Sequence, residues 1–111
     1  MSEIIGNSKQ IKNLEIAEFG FEGEMTWLEA NKACNALGDG WRLPTKEELD
    51  NLYNHKEDIE GFADMPYWSS TEGNSLPSLT TYFMQFFHNG SQIDLLIEGP
   101  AYARAVKTII N

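Results

Sequence analysis

The sequence predicts an α+β domain in which two helices precede an antiparallel sheet. Thr26 with Glu29, and Thr45 with Glu48, each have the spacing of a helix capping box, and a run with apolar residues at helical intervals follows each pair. The second half carries aromatic and threonine-rich stretches separated by turn-forming residues, which is typical of strands. Because helices and strands are segregated along the chain, we expect an antiparallel sheet.

Length and composition predict a single domain spanning residues 1–111. Aromatic residues make up 12% of the chain, which favours a packed core over disorder. The net charge of −9 argues against nucleic acid and anionic membranes as partners. Cys34 is the only cysteine, so an internal disulfide is excluded. No apolar run is long enough to cross a membrane, so we do not expect membrane insertion. The first residues lack the pattern of a signal peptide, so we expect a cytoplasmic protein.

The first half of the chain predicts one strand and two helices. The strand is expected over Lys12–Phe19. The first helix is expected over Trp27–Leu37, ending at Gly38, a residue that readily adopts the left-handed conformation after a helix. The second helix is expected over Lys46–His55, with a buried stripe at i, i+3 and i+4.

The second half predicts a C-terminal β-meander. Asn89-Gly90 is a strong signal for a tight hairpin, because both residues tolerate positive φ. The expected strands are Tyr67–Thr71, Thr80–His88, Ser91–Ile97 and Tyr102–Ile109.

Three segments in a fixed order suggest a family. They are GWRLPTKEEL at Gly40–Leu49, YWSSTE at Tyr67–Glu72 and ARAVK at Ala103–Lys107. Each segment is weak alone, but together and in this order they resemble the DUF1566 family, the domain at the C-terminus of the Legionella collagen-like adhesin. The resemblance covers roughly residues 10–108. It departs from the family pattern at Lys107, where the family carries an arginine.

The resemblance implies a C-type-lectin-like fold, distantly related to formylglycine-generating enzymes. Sugar-binding lectins of this fold use Glu-Pro-Asn or Gln-Pro-Asp with Trp-Asn-Asp to hold calcium, and none of these triplets occurs here. Arg42, just before a helix, is suited to a bidentate bond to a carboxylate such as that of Glu48. We expect structural roles for the hallmark residues Trp41, Arg42, Pro44, Thr45, Glu48, Trp68 and Arg104. Trp27, Trp41 and Trp68 are expected in the core rather than at a sugar site.

Nothing in the sequence forms a recognisable catalytic or metal-binding motif, so we expect neither an enzyme nor a cofactor. Cys34 lies on the apolar helix face and is expected to be buried. His55 and His88 lack metal-ligand spacing. The place where calcium could bind is the acidic stretch Glu57, Asp58, Glu60 and Asp64. Asp94 and Glu98 are the carboxylate pair considered for glycoside hydrolysis, and Ser69 and Ser70 lack a nucleophile motif.

We therefore expect a non-catalytic binding module that recognises a protein or a glycan through loops of the second half. Asn, Ser and Tyr side chains suit adaptable recognition. The candidate ligand-binding residues are Glu72, Asn74, Ser75, Tyr82 and Tyr102, with Leu76 and Ser78 beside them. We expect a monomer or weak homo-oligomer. One alternative is a structural subunit of an assembly, in which 12–19 and 102–109 lie together at a sheet edge and pair with another chain. The other is a degenerate formylglycine-type oxidase that uses Cys34.

Overall fold

The computed structural model describes residues 3–74, 76 and 78–109. That part of the chain forms two three-stranded antiparallel sheets and three helices. In the sequence, the helices follow the first two strands and precede the other four. The elements are β1 (Lys9–Ile11), β2 (Leu14–Ile16), α1 (Trp27–Asn35), α2 (Lys46–Asn54), α3 (Lys56–Ile59), β3 (Pro66–Glu72), β4 (Thr81–Phe86), β5 (Gln92–Leu96) and β6 (Val106–Thr108). Among these described helices, none is long and apolar enough to cross a membrane.

The first sheet joins the two ends of the chain in the order β1-β2-β6. Leu14 pairs with Thr108, and Ile16 pairs with Val106. The prediction of one strand over 12–19 is wrong at its start, because Lys12 has a φ of 54° and reverses the chain between β1 and β2. Such a local left-handed conformation at a lysine is uncommon and has no sequence signature.

The second sheet has the order β3-β4-β5, which is the core of the predicted meander. Trp68 pairs with Met84, and Glu72 pairs with Tyr82, with an irregularity in register between these pairs. Met84 also pairs with Ile93 on β5. Because paired residues share a face of an antiparallel sheet, Trp68, Met84 and Ile93 lie on one side and their neighbours along each strand lie on the other.

Two details of the second half differ from prediction. The strand expected to reach His88 ends at Phe86, because the Phe87 side chain turns into the core and is fully buried. The connection between β4 and β5 therefore comprises the five residues 87–91 rather than a two-residue Asn89-Gly90 turn, and a hydrogen bond from Phe86 N to Ser91 O (2.8 Å) closes it. The last strand is limited to β6 and joins the first sheet, so it is not part of the meander.

Both predicted capping boxes are present. At α1, the amide of Glu29 donates to Thr26 Oγ1 (3.3 Å) and the amide of Thr26 donates to Glu29 Oε1 (2.9 Å). Helix α1 stops two residues before Leu37 because its last turn tightens, with Leu37 N donating to Cys34 O. The short helix α3, which the sequence did not indicate, follows α2 directly after His55.

The core consists of two clusters on either side of the second sheet. The first includes α1 side chains and comprises Ala17, Ala30, Cys34, Trp41, Leu43, Trp68, Met84, Ala101, Ala103 and Ala105. The second includes α2 side chains and comprises Leu14, Ile16, Leu49, Leu52, Ile59, Tyr67, Phe87 and Val106. Burial of these side chains is the main favourable term in folding.

The three family-like segments meet in the fold. Arg42 and Val106 exchange backbone hydrogen bonds of 2.9 and 2.8 Å, which joins the GWRLPT segment to the ARAVK segment. Ser70 N donates to Pro44 O (2.8 Å), which joins YWSST to the same GWRLPT segment. The GWRLPT segment therefore contacts each of the other two segments directly.

Candidate functional site

The Arg42 guanidinium binds the Glu48 carboxylate through both of its terminal nitrogens, at 2.7 and 3.0 Å. Nη2 also donates to Thr108 Oγ1 (2.7 Å). Partial burial raises the pKa of Glu48, but hydrogen bonds from Arg42 and Thr45 and the Arg42 charge outweigh burial and hold it below its ordinary value. The pair is present as expected, and it ties the start of α2 to β6.

The Arg104 side chain is buried, and the backbone accepts its hydrogen bonds. Its guanidinium donates to the backbone oxygens of Ala17 (2.9 Å), Glu60 (2.8 Å) and Glu18 (2.7 Å), and it lies 4.3 Å from the centroid of the Phe62 ring. Burial lowers the pKa of Arg104. Because its donors are directed at the backbone of the N-terminal segment and of the turn after α3, this residue holds chain segments together.

The tryptophans lie in or against the core. Trp41 and Trp68 are buried. Trp68 Nε1 donates to Met25 O, and Trp27 Nε1 donates to Ser69 O, each at 2.9 Å. Trp27 is half-buried. Indole N–H groups that are satisfied by backbone oxygens fix the rings in place.

Of the groups considered for catalysis, Cys34 and Ser69 are buried, Asp94 is hydrogen-bonded and Glu98 is exposed. Cys34 is fully buried, and burial raises the pKa of its thiol to about 12, so the reactive thiolate is suppressed. Asp94 accepts a hydrogen bond from Thr81 Oγ1 (2.9 Å), and Glu98 is exposed in the turn after β5. Ser69 is buried and its Oγ accepts from Thr71 N (3.0 Å).

The residues considered for metal binding are dispersed. His55 Nδ1 contacts Asn51 O at 2.8 Å, and His88 is exposed in the turn after β4. Glu57 and Asp58 are exposed on α3, and Glu60 forms an ion pair with Lys9 at 3.7 Å. Within residues 3–74, 76 and 78–109, no three His, Cys, Asp or Glu side chains are grouped so that they could hold a metal ion.

The structure brings together part of the expected ligand-binding set. Glu72 and Tyr82 are directly paired across β3 and β4, and the exposed Asn74 follows Glu72. Ser75 lies outside the described residues. Tyr102 is elsewhere, because it forms a bridge with Tyr67 at the opposite end of β3 from Glu72.

Tyr102 is therefore removed from the candidate surface. It packs against the second core cluster, and its ring centroid lies 5.7 Å from that of Tyr67. Its position in the sequence, in a Gly-Pro turn region, suggested a loop residue. Long-range packing against an aromatic cluster overrides that local pattern.

The loop between β3 and β4 also carries exposed apolar side chains, whereas the main candidates expected from the sequence were polar residues and tyrosines. Leu76 is 44% exposed and Leu79 is 56% exposed. A hydrogen bond from Leu79 N to Leu76 O (3.0 Å) forms a turn between them, and one from Gly73 N to Thr81 O (2.8 Å) closes the base of the loop. We define the loop face as Glu72, Asn74, Leu76, Leu79 and Tyr82.

A cleft of about 540 Å³ opens on the other side of the second sheet, beside the start of α2. Its lining residues come from α2 and from all three strands of the sheet: Lys46, Glu47, Asp50, Asn51, Thr71, Phe83 and Gln92. No local motif unites residues drawn from four elements, so this cleft has no signature in the sequence.

Comparison with known proteins identifies the fold. No family model matches the chain, and no curated protein matches its sequence. The structure is similar to botrocetin, with a TM-score of 0.67 and 11% identity over 95% of this chain and 98% of botrocetin. It is also similar to EMS16, an antagonist of the collagen receptor integrin alpha2beta1, with a TM-score of 0.68 and 11% identity over 93% of this chain and 98% of that chain.

A third similar structure is the complex of a mutant von Willebrand factor A1 domain with botrocetin. The TM-score is 0.65 with 12% identity over 93% of this chain and 97% of the matched chain. These likenesses extend over nearly the whole of both chains. The protein is an α+β domain with the C-type-lectin-like fold.

Proposed function

We propose that this domain is a non-catalytic binding module that recognises a protein through the loop face. The observation that carries the proposal is the pair of exposed leucines, Leu76 and Leu79, on a loop closed by backbone hydrogen bonds. Exposed apolar side chains become favourable contacts when a partner excludes water from them.

The base of the loop is held rigidly, which favours binding over an ordinary solvated loop. Glu72 and Tyr82 pair across the sheet where the loop begins and ends. Tyr82 stacks on Trp27, whose backbone amide donates to Ile97 O at the end of β5 (3.0 Å). A surface that is already ordered loses less conformational entropy when a partner docks.

Charge indicates the kind of partner. The chain has a net charge of −9, and Glu72 is exposed at the start of the loop. A partner with an apolar pocket rimmed by Lys and Arg would be attracted over distance and matched at contact, whereas an acidic partner would be repelled. We propose such a basic-rimmed protein surface as the target.

Two proteins of similar fold support the proposal that the ligand is a protein. Botrocetin forms a complex with a von Willebrand factor A1 domain, and EMS16 is an antagonist of an integrin. Both act on proteins. At 11–12% identity this likeness concerns the scaffold, so the contacts of the loop face carry the proposal for this chain.

The test compares the full chain with one double variant and one control variant, each checked to be as stable as the parent. The full chain and its Leu76→Ser/Leu79→Ser variant are used as baits in extracts of the native cell, and captured proteins are identified by mass spectrometry. The identified partner is then purified and titrated calorimetrically. We expect the double variant to weaken binding at least tenfold, since full burial of one leucine side chain contributes about 1.5–3 kcal/mol and about 1.4 kcal/mol corresponds to a factor of ten.

Leu28→Ser is the matched control, because Leu28 is 51% exposed on α1, outside the loop face. It should leave the affinity unchanged. The affinity of the parent chain should also fall as salt is raised, because the basic rim is screened. A partner that binds Leu76→Ser/Leu79→Ser as tightly as the parent chain would overturn the proposal.

A structural role in an assembly is the second candidate. Strand β1 is the outer edge of the first sheet, and an edge strand can pair with a strand of another chain. Strand β2 pairs with β6, so the two expected segments share a sheet, but β2 lies in the centre of that sheet rather than at its edge. Light scattering that shows only monomer at high concentration would exclude self-assembly through this edge.

Membership of the DUF1566 family also remains a proposal. Its support is the contact between the GWRLPT, YWSST and ARAVK segments, which gives the sequence pattern a shared structural role. The oxidase alternative is weakened by the burial of Cys34, because a catalytic thiol must meet its substrate.

A further inference from the structure

The cleft beside α2 is chemically distinct from the loop face. Its residues lie on the side of the second sheet opposite Tyr82: Phe83 and Gln92 alternate with residues that face α1, and α2 provides the remaining wall. At about 540 Å³ the cleft is within the range of small-molecule sites, ~300–1,000 Å³.

A buried amide shapes the cleft before any ligand arrives. Gln85 is fully buried, and its Nε2 donates to Asp50 Oδ1 (3.1 Å). Gln92 Nε2 donates to Gln85 Oε1 and to Lys46 O, both at 3.0 Å. Two lining side chains, those of Asp50 and Gln92, are therefore held in fixed positions, which lowers the entropic cost of binding.

The start of α2 does not itself provide the ligand-binding groups. Lys46 N donates to Thr71 Oγ1 (2.8 Å), and Glu48 N donates to Thr45 Oγ1 (3.1 Å). These helix amides are already satisfied within the protein. The groups facing the cleft are therefore side chains, and the Thr71 hydroxyl retains its own proton for donation.

The mixture of lining groups selects a class of ligand. Glu47 and Asp50 only accept hydrogen bonds, Lys46 only donates them, and Asn51 does both. Gln92 offers its Oε1 as an acceptor, because Nε2 already donates to Gln85 Oε1 and to Lys46 O. An anion would meet two carboxylates. A cation would meet the Lys46 ammonium, which lies 4.0 Å from the centroid of the Phe83 ring.

Neutral hydroxyl groups satisfy both kinds of lining group, because each hydroxyl donates to a carboxylate or accepts from an ammonium or amide. The Phe83 ring adds an apolar wall, suited to the C–H face of a sugar ring. We infer that this cleft binds a neutral polyhydroxylated ligand, a monosaccharide or a short oligosaccharide, at a site separate from the loop face.

The experiment is a titration of the full ¹⁵N-labelled chain followed by NMR. The probes are glucose, galactose, mannose and N-acetylglucosamine at millimolar concentrations, with glucuronate as the anionic probe. We expect at least one neutral sugar to cause saturable shift changes at the amides of Thr71, Phe83 and Gln92. Glucuronate should bind more weakly than glucose, because its carboxylate meets Glu47 and Asp50.

Variants locate the site. Glu47→Gln and Asn51→Ala should each weaken sugar binding about three- to tenfold, the effect of losing one hydrogen bond. Glu22→Gln makes the same carboxylate-to-amide change at an exposed turn and should have no effect. Leu76→Ser/Leu79→Ser should also bind sugar normally, so that failure of the protein-binding proposal and failure of this one are distinguishable.

Three results would overturn the inference. The first is the absence of saturable shifts with any neutral sugar, and the second is a set of shifts centred away from the cleft. The third is glucuronate binding more tightly than glucose, which would assign the cleft to anions held by Lys46.

Discussion

The rings of Trp27 and Tyr82 are stacked, with centroids 3.8 Å apart and planes inclined by 13°. Trp27 is the first residue of α1 and Tyr82 lies on β4, so this contact joins the helix to the second sheet. The Trp27 indole also donates to Ser69 O at 2.9 Å on β3. One side chain thus fixes α1 against two strands beneath the loop face.

Replacing Trp27 with Ala should lower the free energy of unfolding by about 2–4 kcal/mol, because the variant loses the stacked contact, the indole hydrogen bond and half-buried apolar surface. Urea denaturation followed by circular dichroism measures the change. The control is Leu28→Ala on the exposed side of α1, expected within ~0.5 kcal/mol of the parent. Equal stability of the two variants would mean that the stack contributes nothing.

Glu48→Gln should lower stability at neutral pH by about 1–3 kcal/mol, since it weakens both the capping box and the bidentate bond with Arg42. The folded pKa of Glu48 is lowered, so its stabilisation is present above the unfolded pKa of about 4.3 and is lost as pH falls through the folded value.

Urea midpoints measured between neutral and acidic pH test this sign. The difference in urea midpoint between the parent chain and Glu48→Gln should become smaller as pH falls below about 4. Glu47→Gln is the control, because Glu47 is the exposed neighbour on the same turn of α2. A difference in urea midpoint that becomes larger in acid would contradict the lowered pKa of Glu48.

Arg104→Met should lower stability by about 2–4 kcal/mol, because the buried backbone oxygen of Ala17 and the partly buried ones of Glu18 and Glu60 would lose their donor. Lys107→Met removes a positive charge from the same segment and should change stability by less than ~1 kcal/mol. Thermal unfolding of the two variants makes the comparison. A parent-like Arg104→Met variant would show that these hydrogen bonds are dispensable.

Cys34 should be unreactive in the folded chain. Its pKa of about 12 means that the thiolate is scarce at pH 8, and burial blocks the reagent. A disulfide reagent such as dithionitrobenzoate should label it only after urea unfolds the protein. The raised pKa also predicts that its stabilising contribution is present below the unfolded value of about 8.5 and is lost as pH rises toward 12.

Features that depend on near neighbours were predictable. The Thr26–Glu29 and Thr45–Glu48 boxes form as expected because three residues of helix bring each pair within hydrogen-bond reach. The central strands followed from their β-branched and aromatic content. The turn at Lys12 was missed because a lysine with positive φ is set by the pairing of β1 with β2 rather than by its own preference.

The candidate sites were only partly predictable. Asn74 lies in a loop as expected, whereas Glu72 is the last residue of β3 and pairs with Tyr82 through strand register. Tyr102 lies apart from these residues, because it forms a bridge with Tyr67 at the other end of β3. The cleft was missed entirely, since its lining combines α2 with β3, β4 and β5.

The sequence by itself determined the segregation of helices and strands, both helix starts, the acidic surface charge and the burial of Cys34, because these depend on composition and on contacts within a few residues. Only the tertiary structure decided that β6 joins β2, that Tyr102 packs on Tyr67, and that α2 and the second sheet leave a cleft. Those features rest on contacts between residues far apart in the chain, which no local preference specifies.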